Sequence, residues 1–167
     1  HGEPGTFATP PYLASLTVVA GGGTPARDTL AKLYESTRPY GGVIAIPGES
    51  RTGSVRDLVS GESFHGVDVR ESSGMVMGSR EGPLENSGPW THNYGDIANT
   101  AKSDDSRVEL PLGLLCFGGS SNMDVLPRHA HGPTKQVIGG RLFIQGMDRL
   151  SARDVYTGRV IWTTMLH

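Results

Sequence analysis

His129 and His131 stand two residues apart in the stretch LPRHAHGP, residues 126–133. In an extended strand that spacing turns both imidazoles to one face, where they can chelate copper or zinc once a third ligand arrives. His92, Asp124 and Asp96 are the candidates for that third position, and Arg128 beside the pair offers a charged wall to a pocket. The alternative is a polar loop whose rings hydrogen-bond backbone carbonyls. His1 brings a separate copper chemistry. A free N-terminal histidine presents its α-amine and its ring together, and with one of His65, His92, His129 or His131 it makes a T-shaped, brace-type copper site suited to oxidation. Numbering from His1 fits equally a boundary inside a longer chain.

Other constellations are weaker. Asp96, Asn99, Asp104 and Asp105 in YGDIANTAKSDD have the oxygens for calcium, but their spacing is not that of an EF-hand loop, and Asx-turns and caps use the same residues. Ser63 in GESFHG and Ser120 and Ser121 in FGGSSNM both miss the G-x-S-x-G elbow of a serine hydrolase. Trp90, Trp162, Tyr94 and Tyr156 can line a carbohydrate or quinone surface, or simply pack. Cys116, the single cysteine, can form no internal disulfide, and its apolar flanks read as an inert buried thiol.

Positioning such residues requires elements, and the sequence has two textures. The run YLASLTVVA ends in three glycines and leads into TPARDTLAKLYESTRPY. Thr24 is a good N-cap and Pro25 suits the first turn, while Ala26, Leu30, Leu33 and Tyr34 share one helical stripe. The continuous apolar run VIAIPG then reads as a strand covered on both faces. The result is a strand, helix, strand crossover with a parallel pair. A short helix is expected in SVRDLVSGESFHG, and two further strands, antiparallel, in VDVRES and GMVMGSR. After a boundary near Gly82 to Gly88 the chain becomes rich in Gly, Asn, Asp and Ser, and no convincing helix returns. At its end, 141–166 reads as a hairpin with Gly158 at the turn, carrying an apolar side that asks for neighbouring sheets. The expected fold is therefore mixed α+β: an α/β segment over 1–82, then an all-β region over 88–167.

With 15 basic and 17 acidic residues interspersed, the net charge of −2 gives no basic stripe for nucleic acid. No apolar stretch approaches the ~20 residues of a spanning helix, so no membrane span is expected.

The terminal unit resembles the PQQ-binding-like β-propeller repeat of the quinoprotein dehydrogenase-like superfamily. Gly140, Leu142, Phe143, Gly146, Leu150, Ala152, Asp154, Thr157, Gly158 and Trp162 carry that likeness within about 23 residues. Residues 12–80 resemble the C-terminal half of a class I methyltransferase-like Rossmann domain, and the segment from GPWTHNYGDIANT onward is similar to large bacterial proteins of the propeller group. The resemblance implies a partial Rossmann-like sheet plus one or two propeller blades, and a quinoprotein-type oxidoreductase or propeller scaffold in the periplasm or outside the cell. It implies PQQ with calcium as cofactor, with Arg128 and Trp162 near it, whereas the histidines alone point to copper. In blades of this kind Asp154 accepts turn amides, Gly158 takes a positive φ and Trp162 fills the gap to the next blade. The Gly-rich cofactor loop and acidic ribose ligand of a methyltransferase are absent in the right context, and one blade does not close a propeller. The partners expected are the remainder of a larger propeller protein or identical subunits. Two further readings stand beside it: a non-enzymatic assembly protein pairing through strand edges, and a small copper oxidoreductase using His1.

Overall fold

A computed structural model describes residues 6–20, 23–48, 52–60, 64–114, 121, 124–126 and 133–166. His1, Ser63, Cys116, Ser120, Arg128, His129 and His131 lie outside the described residues. The chain divides into two compact units, His1–Pro83 and Leu84–His167, each carrying one open four-stranded sheet.

The first unit runs β1 (Leu16–Val18), α1 (Arg27–Ser36), β2 (Gly42–Pro47), α2 (Thr52–Leu58), β3 (Val67–Ser72) and β4 (Met75–Arg80). β1 and β2 are parallel, with Leu16 opposite Val43, and α1 is the crossover between them. β4 is antiparallel to both β2 and β3, giving the order β1-β2-β4-β3. Helix α1 begins later than its sequence signals imply. Ala26, extended at ψ 154°, is the N-cap and makes no side-chain cap, while its carbonyl accepts the Leu30 amide at 3.0 Å. The helix therefore starts two residues after the Thr24–Pro25 pair that the sequence marks as its beginning.

Period-two alternation explains the core. Ile44 and Ile46 on β2, Val76 on β4 and Val69 on β3 join Leu30, Tyr34, Val55 and Phe64 from the helices and the loop after α2 in one buried cluster. Each such side chain contributes about 1.5–3 kcal/mol by leaving water. The opposite sheet face carries Leu16 and Val18, which are exposed, beside half-buried Val43 and Met77. Ala45 on this second face is buried between Val18 and Met77, but among the described residues the helices pack against the Ile44 and Ile46 side of β2, where the unbroken apolar run led to an expectation of cover on both.

Arg80 locks this unit. Its guanidinium donates to the carbonyls of Tyr34 (2.9 Å) and Thr37 (3.0 Å) at the end of α1. It also lies 4.5 Å from the Tyr34 ring centroid and 5.5 Å from that of Tyr12. A cation near a helix C-terminus and over aromatic faces is favourable on both counts. The Tyr34 hydroxyl donates to the His65 carbonyl, and burial raises its pKa above the ordinary value, with Arg80 opposing.

The second unit is an antiparallel meander: β5 (Gln136–Ile138), β6 (Arg141–Gln145), β7 (Arg149–Asp154) and β8 (Val160–Met165), hydrogen-bonded in that order. What the sequence presents as one hairpin is thus three successive strands, with β5 added ahead of them. The signal was blurred because Gly146 and Asp148, which turn the chain between β6 and β7, sit inside an otherwise strand-like run. A Cβ at Gly146 would fall 2.7 Å from the Asp124 carbonyl oxygen, so glycine is what lets residues 124–126 lie along that turn. There the Leu126 amide meets the Gln145 carbonyl at 3.2 Å, and Arg149 pairs with Asp124 at 2.7 Å.

Candidate functional site

The β7–β8 turn is the best-built feature of the second unit. The buried carboxylate of Asp154 accepts the amides of Tyr156 (2.9 Å) and Thr157 (3.1 Å), while the Asp154 carbonyl accepts Gly158 at 2.9 Å. Gly158 has φ +69°, a conformation that a side chain strains. Asp154 and Gly158 thus take the roles in this turn that the sequence resemblance implies for them. From this turn β8 carries Trp162 opposite Ala152, and β6 carries Phe143 opposite the same alanine. The two rings approach across it with centroids 6.2 Å apart and a 54° tilt, leaving Ala152 with no exposure. Trp162 itself remains 39% exposed. Its indole therefore packs on one side and faces solvent on the other.

The remaining candidates are dispersed or engaged. His92 is exposed, with Nδ1 2.8 Å from the Thr91 hydroxyl. Asp124, a candidate third ligand, has its carboxylate taken by Arg149. Asp96 receives the Thr100 amide (3.1 Å) and hydroxyl (2.5 Å), and the Thr100 hydroxyl is the main cause that holds its carboxyl below the usual range, helped by backbone amides. Asp105 accepts the amides of Gly88 (3.2 Å), Arg107 (2.8 Å) and Val108 (3.2 Å). Burial is the largest single influence there and opposes ionisation, yet those amides and the Arg107 charge together outweigh it and lower its pKa. These carboxylates serve as turn and cap acceptors, as the alternative reading of YGDIANTAKSDD has it. Trp90 pairs through its backbone with Val137 of β5 at 2.8 and 3.0 Å, and its ring faces Gly95. Neither the Trp90 bridge nor the locking role of Arg80 is marked by any local sequence signal, because each depends on residues more than forty positions away.

Among the described residues no three His, Cys, Asp or Glu side chains converge on a metal position. Two concavities in the first unit offer no better chemistry. The space of ≈ 10 Å³ between Leu30, Tyr34, Ile46 and Phe64 is at most water-sized. A hollow of ≈ 280 Å³ along Thr6–Thr9, Lys32 and Glu35 is open to solvent. No protein-family model, curated protein or solved structure matches the chain. Of the two residues expected near PQQ, Trp162 presents a half-covered aromatic surface, and Arg128 lies outside the described residues.

Among the described residues, no helix is long and apolar enough to cross a membrane.

Proposed function

We propose that the chain works as a β-sheet module of the quinoprotein-like propeller type, a scaffold rather than a self-sufficient catalyst. The supporting observation is the four-stranded antiparallel meander β5–β8, closed by the Asp154–Gly158 turn and carrying a Trp162 that is dry on one side and wet on the other. A sheet of this size covers its sides by stacking against similar sheets, and an indole at its surface is the group that such stacking buries. In this reading redox chemistry belongs to an assembled propeller, and placement in the periplasm or outside the cell rests on the sequence resemblance alone.

The test is a titration of the purified chain with PQQ and calcium. The scaffold reading expects no saturable change in tryptophan fluorescence and no quinone absorbance carried through gel filtration. A retained quinone band that disappears in Trp162→Leu would replace the scaffold by a cofactor-holding module.

A further inference from the structure

The two sheets have four edges, and they are not protected alike. An unpaired edge offers a row of free amides and carbonyls to any passing strand, and proteins blunt such edges with charge, brevity or cover. β3 carries Asp68, Arg70 and Glu71, and its Val69 carbonyl is taken by the Arg56 guanidinium at 2.8 Å. β1 is three residues long, and beside it Ala14 is bonded to Ser36 and Arg38, both at 2.8 Å. β5 is also three residues long and is closed by the Trp90–Val137 pair. β8 differs on each count. It runs six residues, Val160–Met165, has no charge, proline or glycine, is exposed from Ile161 onward, and has no partner on its outer side among the described residues.

We infer that two copies of this chain pair through β8, antiparallel about a two-fold axis, making one continuous sheet from two. The phase of the strand comes from the Leu166 amide, which bonds the Asp148 carbonyl at 2.7 Å and thereby directs the main-chain groups of Trp162 and Thr164 toward β7. The groups of Ile161, Thr163 and Met165 consequently point outward. A two-fold axis normal to the sheet places one outward residue opposite itself. Centring on Thr163 engages all three outward residues, with Ile161 opposite Met165 of the second copy and Trp162 opposite its Thr164.

Every facing pair is then compatible: Thr with Thr, Ile with Met, Trp with Thr. A charged residue at position 161, 163, 164 or 165 of such a strand would meet its own copy or an apolar side chain, and the strand has none. That self-compatibility is what favours a second copy over a charged partner strand. The inference concerns the edge of this sheet, not its faces, so it stands or falls separately from the propeller reading.

Sedimentation velocity on the full chain, up to on the order of 100 µM, should show twice the mass of the 17.7 kDa chain. Thr163→Lys, which sets like charges against each other at the axis, should give a monomer with an unchanged far-ultraviolet spectrum. Ile161→Lys alone and Met165→Glu alone should do the same, whereas the two together place opposite charges face to face and should restore the dimer. A wild-type monomer across this range, a dimer indifferent to Thr163→Lys, or no restoration in the double variant overturns the proposal. Should the variants not fold, hydrogen exchange on the unaltered protein decides the matter. The amides of Ile161, Thr163 and Met165 should slow at least tenfold between dilute and concentrated samples, and exchange independent of concentration refutes the pairing.

Discussion

Replacing Asp154 tests whether the β7–β8 turn is held by its carboxylate. Two amides, those of Tyr156 and Thr157, are satisfied by one buried oxygen, Oδ1, at 2.9 and 3.1 Å. Hydrogen bonds to a charged acceptor contribute about 1.5 kcal/mol each at the low end of their range, so Asp154→Ala should cost about 3 kcal/mol. Asp154→Asn keeps an acceptor oxygen in the same place and loses only charge assistance, for a cost of about 1 kcal/mol. Both tryptophans of the chain, Trp90 and Trp162, lie in the second unit, so their fluorescence reports unfolding there without interference from the first. With a urea dependence of about 1 to 1.5 kcal/mol per molar, the midpoint should fall by about 2 to 3 M in the alanine variant and by under about 1 M in the asparagine variant. The comparison of the two is the sharper measurement. Equal losses would mean that a charge partner, not the turn amides, dictates aspartate at this position. A shift below about 0.5 M in Asp154→Ala would refute the account of the turn altogether.

Arg80→Met keeps the aliphatic stem but removes both bonds to the end of α1 and the contact with Tyr34, and should destabilise the first unit by about 2 kcal/mol. The check is faster amide exchange across β2 and β4 with tryptophan fluorescence unchanged, and an equal effect on both units would contradict it. Acid should loosen the loops around Asp96 and Asp105, whose folded pKa values lie below the ordinary 3.8. A depressed carboxyl stabilises the fold above its unfolded value and loses that contribution as pH falls through the folded one. The unfolding midpoint followed at Trp90 should therefore drop below about pH 4, and Asp96→Asn with Asp105→Asn should flatten the dependence; an undiminished slope in the double variant would count against it.

Local elements were legible where one residue type has one physical use. The β1-α1-β2 crossover followed from an apolar run, a helical stripe and a second apolar run, and the Asp154–Gly158 turn from an acceptor and a residue free to take positive φ. The strands β3 and β4 were equally plain, since VDVRES and GMVMGSR alternate about a turn made of Ser73 and Gly74, both at positive φ. The division of 141–166 was not. A tight turn at Gly146 depends on the close approach of the Asp124 backbone, and no pattern within the segment encodes a neighbour twenty residues earlier.

The candidate chemistry divides in the same way. Residue type alone marked Asp96 and Asp105 as capable of binding a cation or of accepting turn amides, because a carboxylate does either. The local backbone conformation brings the donors of Thr100, Arg107 and Val108 onto them from two to four residues along the same loops, and only the Gly88 amide reaches Asp105 through the tertiary fold. Composition alone carried the high glycine and proline content and the near balance of acidic and basic residues. Which edge stays open, and which is closed by Trp90, Arg56 or brevity, was decided by the fold, since an edge is defined by what lies beside a strand rather than by what is written in it.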